Sequence, residues 1–388
     1  MFSKNIKFKN YQIKKKKNIS KKIKDNLKLL LKENNAIFQS LGTGYKNNYN
    51  KNLIFRLKNY SHFRIIGMGG SVLGAESIYN FLQHKVKKKF YFINNLQSNI
   101  NDFEKKKKYL NLIISKSGNT LETISNTNVL IKSNDKNIII TENKKNYLFS
   151  IAEKLKAEII EHNNLIGGRY SVLSEVGMLP AELMGLDIKK FKQMQNLIKN
   201  KKFVNALIDN VGYTLHFLKQ KKFNSIIFNY DEKSDSFFKW YQQLVAESLG
   251  KKKKGILPII STMPKDNHSL MQLYLDGPRN NFFTFFHVKD KKSMKVNSKN
   301  LFNNYGNLKN KKLSQILQSQ KTATENVFKR KKIPFRSFEI INRSEEALGE
   351  LFCFFILETI LIAKALKINP YNQPSVELIK KETKKILV

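Results

Sequence analysis

Cysteine occurs once in the 388 residues, at Cys353, which excludes an intrachain disulfide and fits a reducing compartment. Long apolar runs are missing as well. The most apolar stretch, Leu351–Ala363, is interrupted by Glu358 and is too short to span a bilayer, so it reads as a buried helix. The N-terminus, MFSKNIKFKN, lacks the apolar core of a secretory signal. A cytoplasmic protein without membrane attachment is expected. Acidic residues are scarce, 30 against 71 basic ones, for a formal net charge of +41. A basic surface gains affinity for nucleic acid by releasing counterions from phosphates. Here, however, the lysines lie scattered in runs such as Lys14–Lys17, Lys105–Lys108 and Lys251–Lys254, and Lys, Asn, Ile and Phe are enriched together. No aromatic–basic module gathers them, so specific nucleic-acid recognition is not expected, whereas a general attraction for anions such as sugar phosphates is.

Apolar strand-like runs alternate with helical patterns twice along the chain, the mark of parallel α/β sheets. Strands are expected at Phe63–Gly67, Phe90–Ile93, Leu110–Ser115, Asn137–Thr141 and Glu158–Glu161, then at Ser225–Asn229, Gly255–Ser261, Phe282–Val288 and Phe335–Ile341. Helices are expected at Gly70–Gln83, Thr120–Ser133, Ser234–Leu249, His268–Leu275, Leu313–Arg330, Ser344–Leu366 and Val376–Leu387, with a helical bridge from Pro180 to Lys221. The fold class is α/β, with two doubly wound parallel-sheet domains and a C-terminal helical segment. The expected divisions are a basic, helical N-terminal segment over 1–45, a first domain over 46–180, a second over 181–370, and a C-terminal helix over 371–388. Ligands of such sheets bind beyond the carboxyl ends of the strands.

Several motifs fall at those ends. Gly67-Met68-Gly69-Gly70-Ser71 follows a strand and opens a helix, so its backbone N–H groups can approach an anion. Val72 stands at the third glycine position of a dinucleotide fingerprint, and no phosphate-loop lysine is present, so neither nucleotide motif applies. Ser115-Lys116-Ser117-Gly118-Asn119-Thr120 ends another strand, and Leu121-Glu122-Thr123 begins the next helix. Its hydroxyls exceed what capping by Thr120 needs, and with a helix dipole they form a site for a phosphate monoester. Arg169 follows Gly167-Gly168 on what reads as a flexible loop.

Glu247 lies in a largely apolar helix, the setting that tunes a carboxylate toward a general base. His268, among only six histidines, sits after a strand at a helix start. Gln373 precedes the last helix, and Lys380 lies two turns further on a similar side. Taken singly, each of these has an ordinary structural reading: a tight turn, a cap, a surface arginine, an exposed glutamate. No His, Cys or carboxylate cluster has the spacing of metal ligands, so no metal is expected.

In this order, over about Phe63 to Lys380, the segments Ser-Lys-Ser-x-x-Thr-x-Glu-Thr, Gly-Gly-Arg-Tyr-Ser, Glu-Ser-x-Gly-Lys and Asn-Gln-x-x-Val-Glu-x-x-Lys resemble the glucose-6-phosphate isomerase family. The resemblance implies two sugar-isomerase (SIS) domains, usually in a homodimer. It also implies a cofactor-free, redox-neutral interconversion of glucose 6-phosphate and fructose 6-phosphate, a step of glycolysis and gluconeogenesis. By position, Ser115, Ser117, Thr120 and the Lys116 backbone would hold the phosphate, and Gly70 and Ser71 would contact the sugar. Glu247 would shuttle the proton through a cis-enediol, with Arg169 steadying its charge. His268, from the neighbouring subunit, and Lys380 would open and close the ring, while Glu122 and Gln373 line the site. Ser375 and Ile379 replace glycines common in the family's C-terminal motif. A phosphosugar sensor without catalysis, and a phosphomannose or dual-specificity isomerase, stay open as alternatives.

Overall fold

In the computed structural model the described residues are 3–12, 17–33, 35–96, 107–132, 135–290 and 292–387. Lys14, Lys15, Lys16, Lys105 and Lys106 of the lysine runs lie outside them. The strands are β1 (Ile6–Lys9), β2 (His62–Gly67), β3 (Lys89–Ile93), β4 (Leu110–Ile114), β5 (Lys136–Thr141), β6 (Glu158–Glu161), β7 (Asn224–Asn229), β8 (Leu257–Thr262), β9 (Asn281–Val288) and β10 (Phe335–Ile340). They form two five-stranded sheets, ordered β3-β2-β4-β5-β6 and β1-β10-β9-β7-β8. All pairings are parallel except that of β1 with β10.

Alternation along the strands explains the layers. In the first sheet Phe63, Ile65, Leu112, Ile114, Ile138 and Ile140 face a large core shared with the second sheet. Their neighbours Ile66, Ile113 and Ile139 face a smaller outer cluster with Leu130, Leu148 and Ala152. In the second sheet Ile227, Phe286 and Phe338 join the shared core, and Ile226, Phe228, Phe283 and Phe285 form an outer cluster. Both faces are covered, so the strands read as continuous apolar runs.

Two helices dominate the shared core. Glu345–Leu366 is buried all round from Ala347 to Ala363, as its largely apolar sequence requires, and it carries Glu350 and Glu358 into the interior with it. Ser344 caps it by accepting from the Ala347 N–H. Gly70–Leu82 packs between the sheets, against the helices Asp235–Leu249 and Glu175–Leu183. That position brings the glycine turn after β2 to the boundary between the two halves.

Three findings differ from the sequence reading. The N-terminal residues join the second half of the molecule: β1 borders β10, and the helix Lys17–Lys32 buries Ile23, Leu27 and Leu30 and packs on the helices Lys201–Lys219 and Glu345–Leu366. The expected helix His268–Leu275 is instead a 3-10 turn, Lys265–His268, and a short helix, Met271–Asp276. Asp266 causes the break, because its carboxylate accepts from the Ser261 hydroxyl, the Thr262 N–H and the Ser269 hydroxyl. Arg169 is not on a flexible loop but in a buried 3-10 turn, Gly168–Leu173.

Candidate functional site

The first sheet reverses its winding between β2 and β4, and both motif loops leave from that point. After β4, Ser115 and Thr120 join hydroxyls at 2.9 Å. Thr120 is the N-cap of the helix Leu121–Leu130, yet its side chain makes no capping bond. Ordinary capping therefore does not account for this threonine, and no side chain caps the N–H groups of that first turn. Gly118 turns the loop at φ +65°, where a Cβ would fall 1.9 Å from Asn146 Oδ1. The loop is braced from behind: the Leu148 N–H donates to the Gly118 carbonyl and the Tyr147 N–H to Asn119 Oδ1.

Lys116 sends its side chain away from this loop. Its Nζ donates to the Asn164 carbonyl at 2.6 Å and lies 3.7 Å from Glu142, while burial lowers its pKa. Only its backbone remains with the hydroxyls. Ser117 is exposed, and Glu122 is half-buried in the first helical turn.

After β2, Gly69 takes φ +54° and Gly70 begins the helix with Ser71 buried behind it. A Cβ on Gly70 would lie 2.2 Å from the Gly168 carbonyl carbon and 2.5 Å from the Arg169 nitrogen. A Cβ on Gly69 would lie 2.8 Å from Gln243 Nε2. The two glycines are what permit the turn to touch the Arg169 backbone and the helix Asp235–Leu249 together.

Arg169 is the hub. Its side chain, 2% exposed, donates from Nη1 to Glu247 Oε1 at 2.8 Å and to Gln373 Oε1 at 3.1 Å. Its Nε donates to the Ser248 hydroxyl at 2.9 Å, and its Nη2 to the Pro370 carbonyl at 2.5 Å. Trp240, the sole tryptophan, fixes the backbone by donating Nε1–H to the Arg169 carbonyl at 3.1 Å. The second oxygen of Glu247 accepts from Gln243 Nε2 at 3.0 Å. A carboxylate held at both oxygens, with about a fifth of its side chain still open to solvent, is oriented without being sealed off.

The structure thus joins Gly70, Arg169, Glu247 and Gln373 directly, with the Ser115–Thr120 loop on the adjoining strand. It does not join His268 or Lys380 to them within one chain. His268 is exposed, and its ring makes no hydrogen bond or ion pair among the described residues. Lys380, 61% exposed, pairs with Glu377 at 2.8 Å on the helix Pro374–Ile386, which buries no residue. Sequence reasoning missed Gln243, Ser248 and Tyr170, whose hydroxyl bonds Ser248 Oγ at 2.7 Å. Gln243 had one available signal, its place four residues before Glu247 and hence on the same helical face. Among the described residues no three His, Cys, Asp or Glu side chains converge as metal ligands, and no helix is long and apolar enough to cross a membrane.

Known proteins match the chain over most of its length. The phosphoglucose isomerase family model matches residues 55–388. The glucose-6-phosphate isomerase of Methanocaldococcus jannaschii is 34% identical over 346 residues, 84% of either chain. That of Mycoplasmopsis synoviae is 32% identical over 345 residues, covering 82% of this chain and 80% of its own. Among solved structures, a hypothetical protein of Thermus thermophilus superposes with a TM-score of 0.81 at 21% identity, over 96% of this chain and 95% of its own. The glucose-6-phosphate isomerase of Chlamydia trachomatis gives 0.77 at 14% identity, over 99% and 88% respectively, a likeness of fold. With a family match over most of its length and relatives above 30% identity, the chain belongs to the phosphoglucose isomerase family.

Proposed function

We propose that the protein interconverts glucose 6-phosphate and fructose 6-phosphate by moving one proton between C2 and C1. The observation that carries this reading is the single guanidinium of Arg169 holding both the carboxylate of Glu247 and the amide of Gln373, against the glycine turn beside the hydroxyl loop. Abstraction of a proton beside a carbonyl needs a fixed carboxylate and a cation for the oxygen that becomes charged. Glu247 takes the C2 proton of the open-chain aldose, giving a cis-enediol, and returns it to C1. Arg169 offsets the charge on the enediolate oxygen while keeping the base in register.

The phosphate binds at Ser115, Ser117, Thr120, the Lys116 backbone N–H and the uncapped helix N-terminus, with Gly70, Ser71 and Glu122 along the sugar. Remote binding energy then orients the reacting carbons. His268 of a neighbouring copy and Lys380 open the sugar ring, in a homodimer. The exposure of His268 and its lack of a partner among the described residues support that role. The buried Cys353 thiol supports placement in a reducing cytoplasm.

The test is fructose 6-phosphate turnover by wild type and Glu247→Gln. The expected result is a kcat about a thousandfold lower in the variant with KM within about threefold, since general-base catalysis contributes about 10²–10⁴. Phosphosugar binding without turnover by folded wild type would contradict the isomerase and leave a sensor.

A further inference from the structure

The run Lys251–Lys254 does more than add charge. It forms a tight turn between the helix Asp235–Leu249 and β8, in which Lys251 and Lys254 exchange backbone hydrogen bonds at 3.1 and 2.9 Å. The two central residues, Lys252 and Lys253, both take left-handed backbone angles, φ 52° and 57°. Such a turn normally recruits asparagine or glycine, and side chains at both positions strain it. The strained turn aims two ammonium groups at the end of the helix Glu345–Leu366 and the segment that follows it. Lys251 Nζ donates to the Ser248 carbonyl at 3.0 Å and to the Asn369 carbonyl at 2.7 Å, and Lys254 Nζ donates to the Leu366 carbonyl at 3.1 Å.

These contacts close a ring. Ser248 follows Glu247 at the end of its helix, and Asn369 opens the strap Asn369–Gln373. The Pro370 carbonyl accepts from Tyr170 and Arg169, Gln373 accepts from Arg169, and Arg169 returns to Glu247. Besides Lys251, the strap is held by Arg169, by the Tyr170 hydroxyl at Pro370 and by Asn35 at the Tyr371 hydroxyl, and of these Lys251 is the one that reaches Asn369 from the end of the Glu247 helix.

We propose that Lys251 is a positioning residue: its ammonium ties the end of the helix bearing Glu247 to the strap bearing Gln373, fixing the span across which Arg169 holds both. This rests on the isomerase reading for its effect on rate, but the tie itself does not.

Burial lowers Lys251 from an ordinary 10.5 to about 8, with Arg169 pushing the same way and Glu247 opposing. Lys254 faces it across the turn. Above about pH 8 the ammonium therefore discharges and its bonds to the two carbonyls weaken. The linkage sign for stability is opposite. The unfolded chain binds more protons between about 8 and 10.5, so this group favours the folded state increasingly as pH rises there. A positioning role makes activity fall across the same interval.

The experiment compares wild type, Lys251→Met and Lys251→Arg in fructose 6-phosphate turnover from pH 7 to 9.5 and in hydrogen exchange of the 366–373 amides. Lys251→Met is expected to lower kcat by about tenfold and leave KM within about twofold, because the phosphate loop is untouched. Its strap amides should exchange about tenfold faster or more. Lys251→Arg, charged at every pH in the series, should recover kcat to within about threefold and hold it above pH 8, where wild type declines. Wild-type kcat and exchange in Lys251→Met, or a lowered melting temperature with unchanged kcat, would overturn the proposal. If folded wild type does not turn the substrate over, the isomerase reading falls, and unchanged strap exchange in Lys251→Met would still refute the tie.

Discussion

The two sheets share one winding, and their corresponding openings have opposite contents. In the first, the reversal between β2 and β4 holds a glycine turn, a row of hydroxyls and a helix N-terminus that no side chain caps. In the second, the reversal between β7 and β9 is filled by groups that satisfy one another. Arg343 grips both oxygens of Asp231, the Ser234 hydroxyl donates to Asp231, and Asn229 donates to Asp235. Two carboxylates there oppose a phosphate, and the fork of Arg343 is already occupied by Asp231. The topology offers two openings; side chains fill one with mutually satisfied groups and leave hydroxyls and an uncapped helix N-terminus at the other. The second half contributes its helix Asp235–Leu249, and with it Glu247, to the opening of the first.

Three substitutions or conditions sharpen that contrast, beginning with the contact that spans both halves. Arg169→Lys keeps a charge but loses the fork that reaches Glu247, Ser248, Gln373 and Pro370 together. Leaving buried partners unpaired is expected to cost about 3–5 kcal/mol, seen as a fall of about a thousandfold in kcat/KM and a lower urea midpoint. A kcat/KM within tenfold of wild type would remove Arg169 from the centre of the account.

The second opening should govern acid stability. His287, buried at the end of β9 and facing Asp231, Lys321, Lys289 and Glu339, is lowered to about 4, chiefly by burial and then by Lys321. Its folded pKa lies below the unfolded value, so it stays neutral in the fold. The stability it permits is complete above about 6.5 and is lost as pH falls toward 4. Urea titrations should show wild type losing about 2 kcal/mol more than His287→Gln between pH 7 and pH 5, with KM for substrate alike in the two proteins. Equal acid sensitivity would separate His287 from that behaviour.

The smallest effect belongs to a single hydroxyl. Thr120→Val preserves shape and removes the partner of Ser115, so KM should rise about tenfold with kcat nearly unchanged, the value of about one hydrogen bond to a charged group.

The sequence disclosed the parallel strands well because, buried on both faces, they are continuous apolar runs with glycine or hydroxyl clusters at their ends. Glu158–Glu161 and the helix Leu313–Arg330 lie at the bounds expected from pattern alone. β1 escaped because four residues, Ile-Lys-Phe-Lys, in a lysine-rich stretch look like any solvated segment until β10 offers an edge. The turn at His268 was misjudged because Asp266 spends its carboxylate on local bonds to Ser261, Thr262 and Ser269, which compete with a continuous helix there. At the site, the hydroxyl loop stood out by residue type and spacing, whereas Arg169 by itself read as a surface arginine and was singled out only by the family resemblance. Gln243 offered only its place four residues before Glu247, and Lys251 is one lysine among many. Their parts come from what the fold sets beside them.

The most direct test of the division of labour is calorimetric binding of sorbitol 6-phosphate, which cannot isomerise, to wild type, Thr120→Val and Glu247→Gln. Phosphate gripped by the first half alone predicts about tenfold weaker binding to Thr120→Val and binding within about threefold of wild type by Glu247→Gln. Undiminished binding to Thr120→Val, with the loss falling on Glu247→Gln instead, would contradict it.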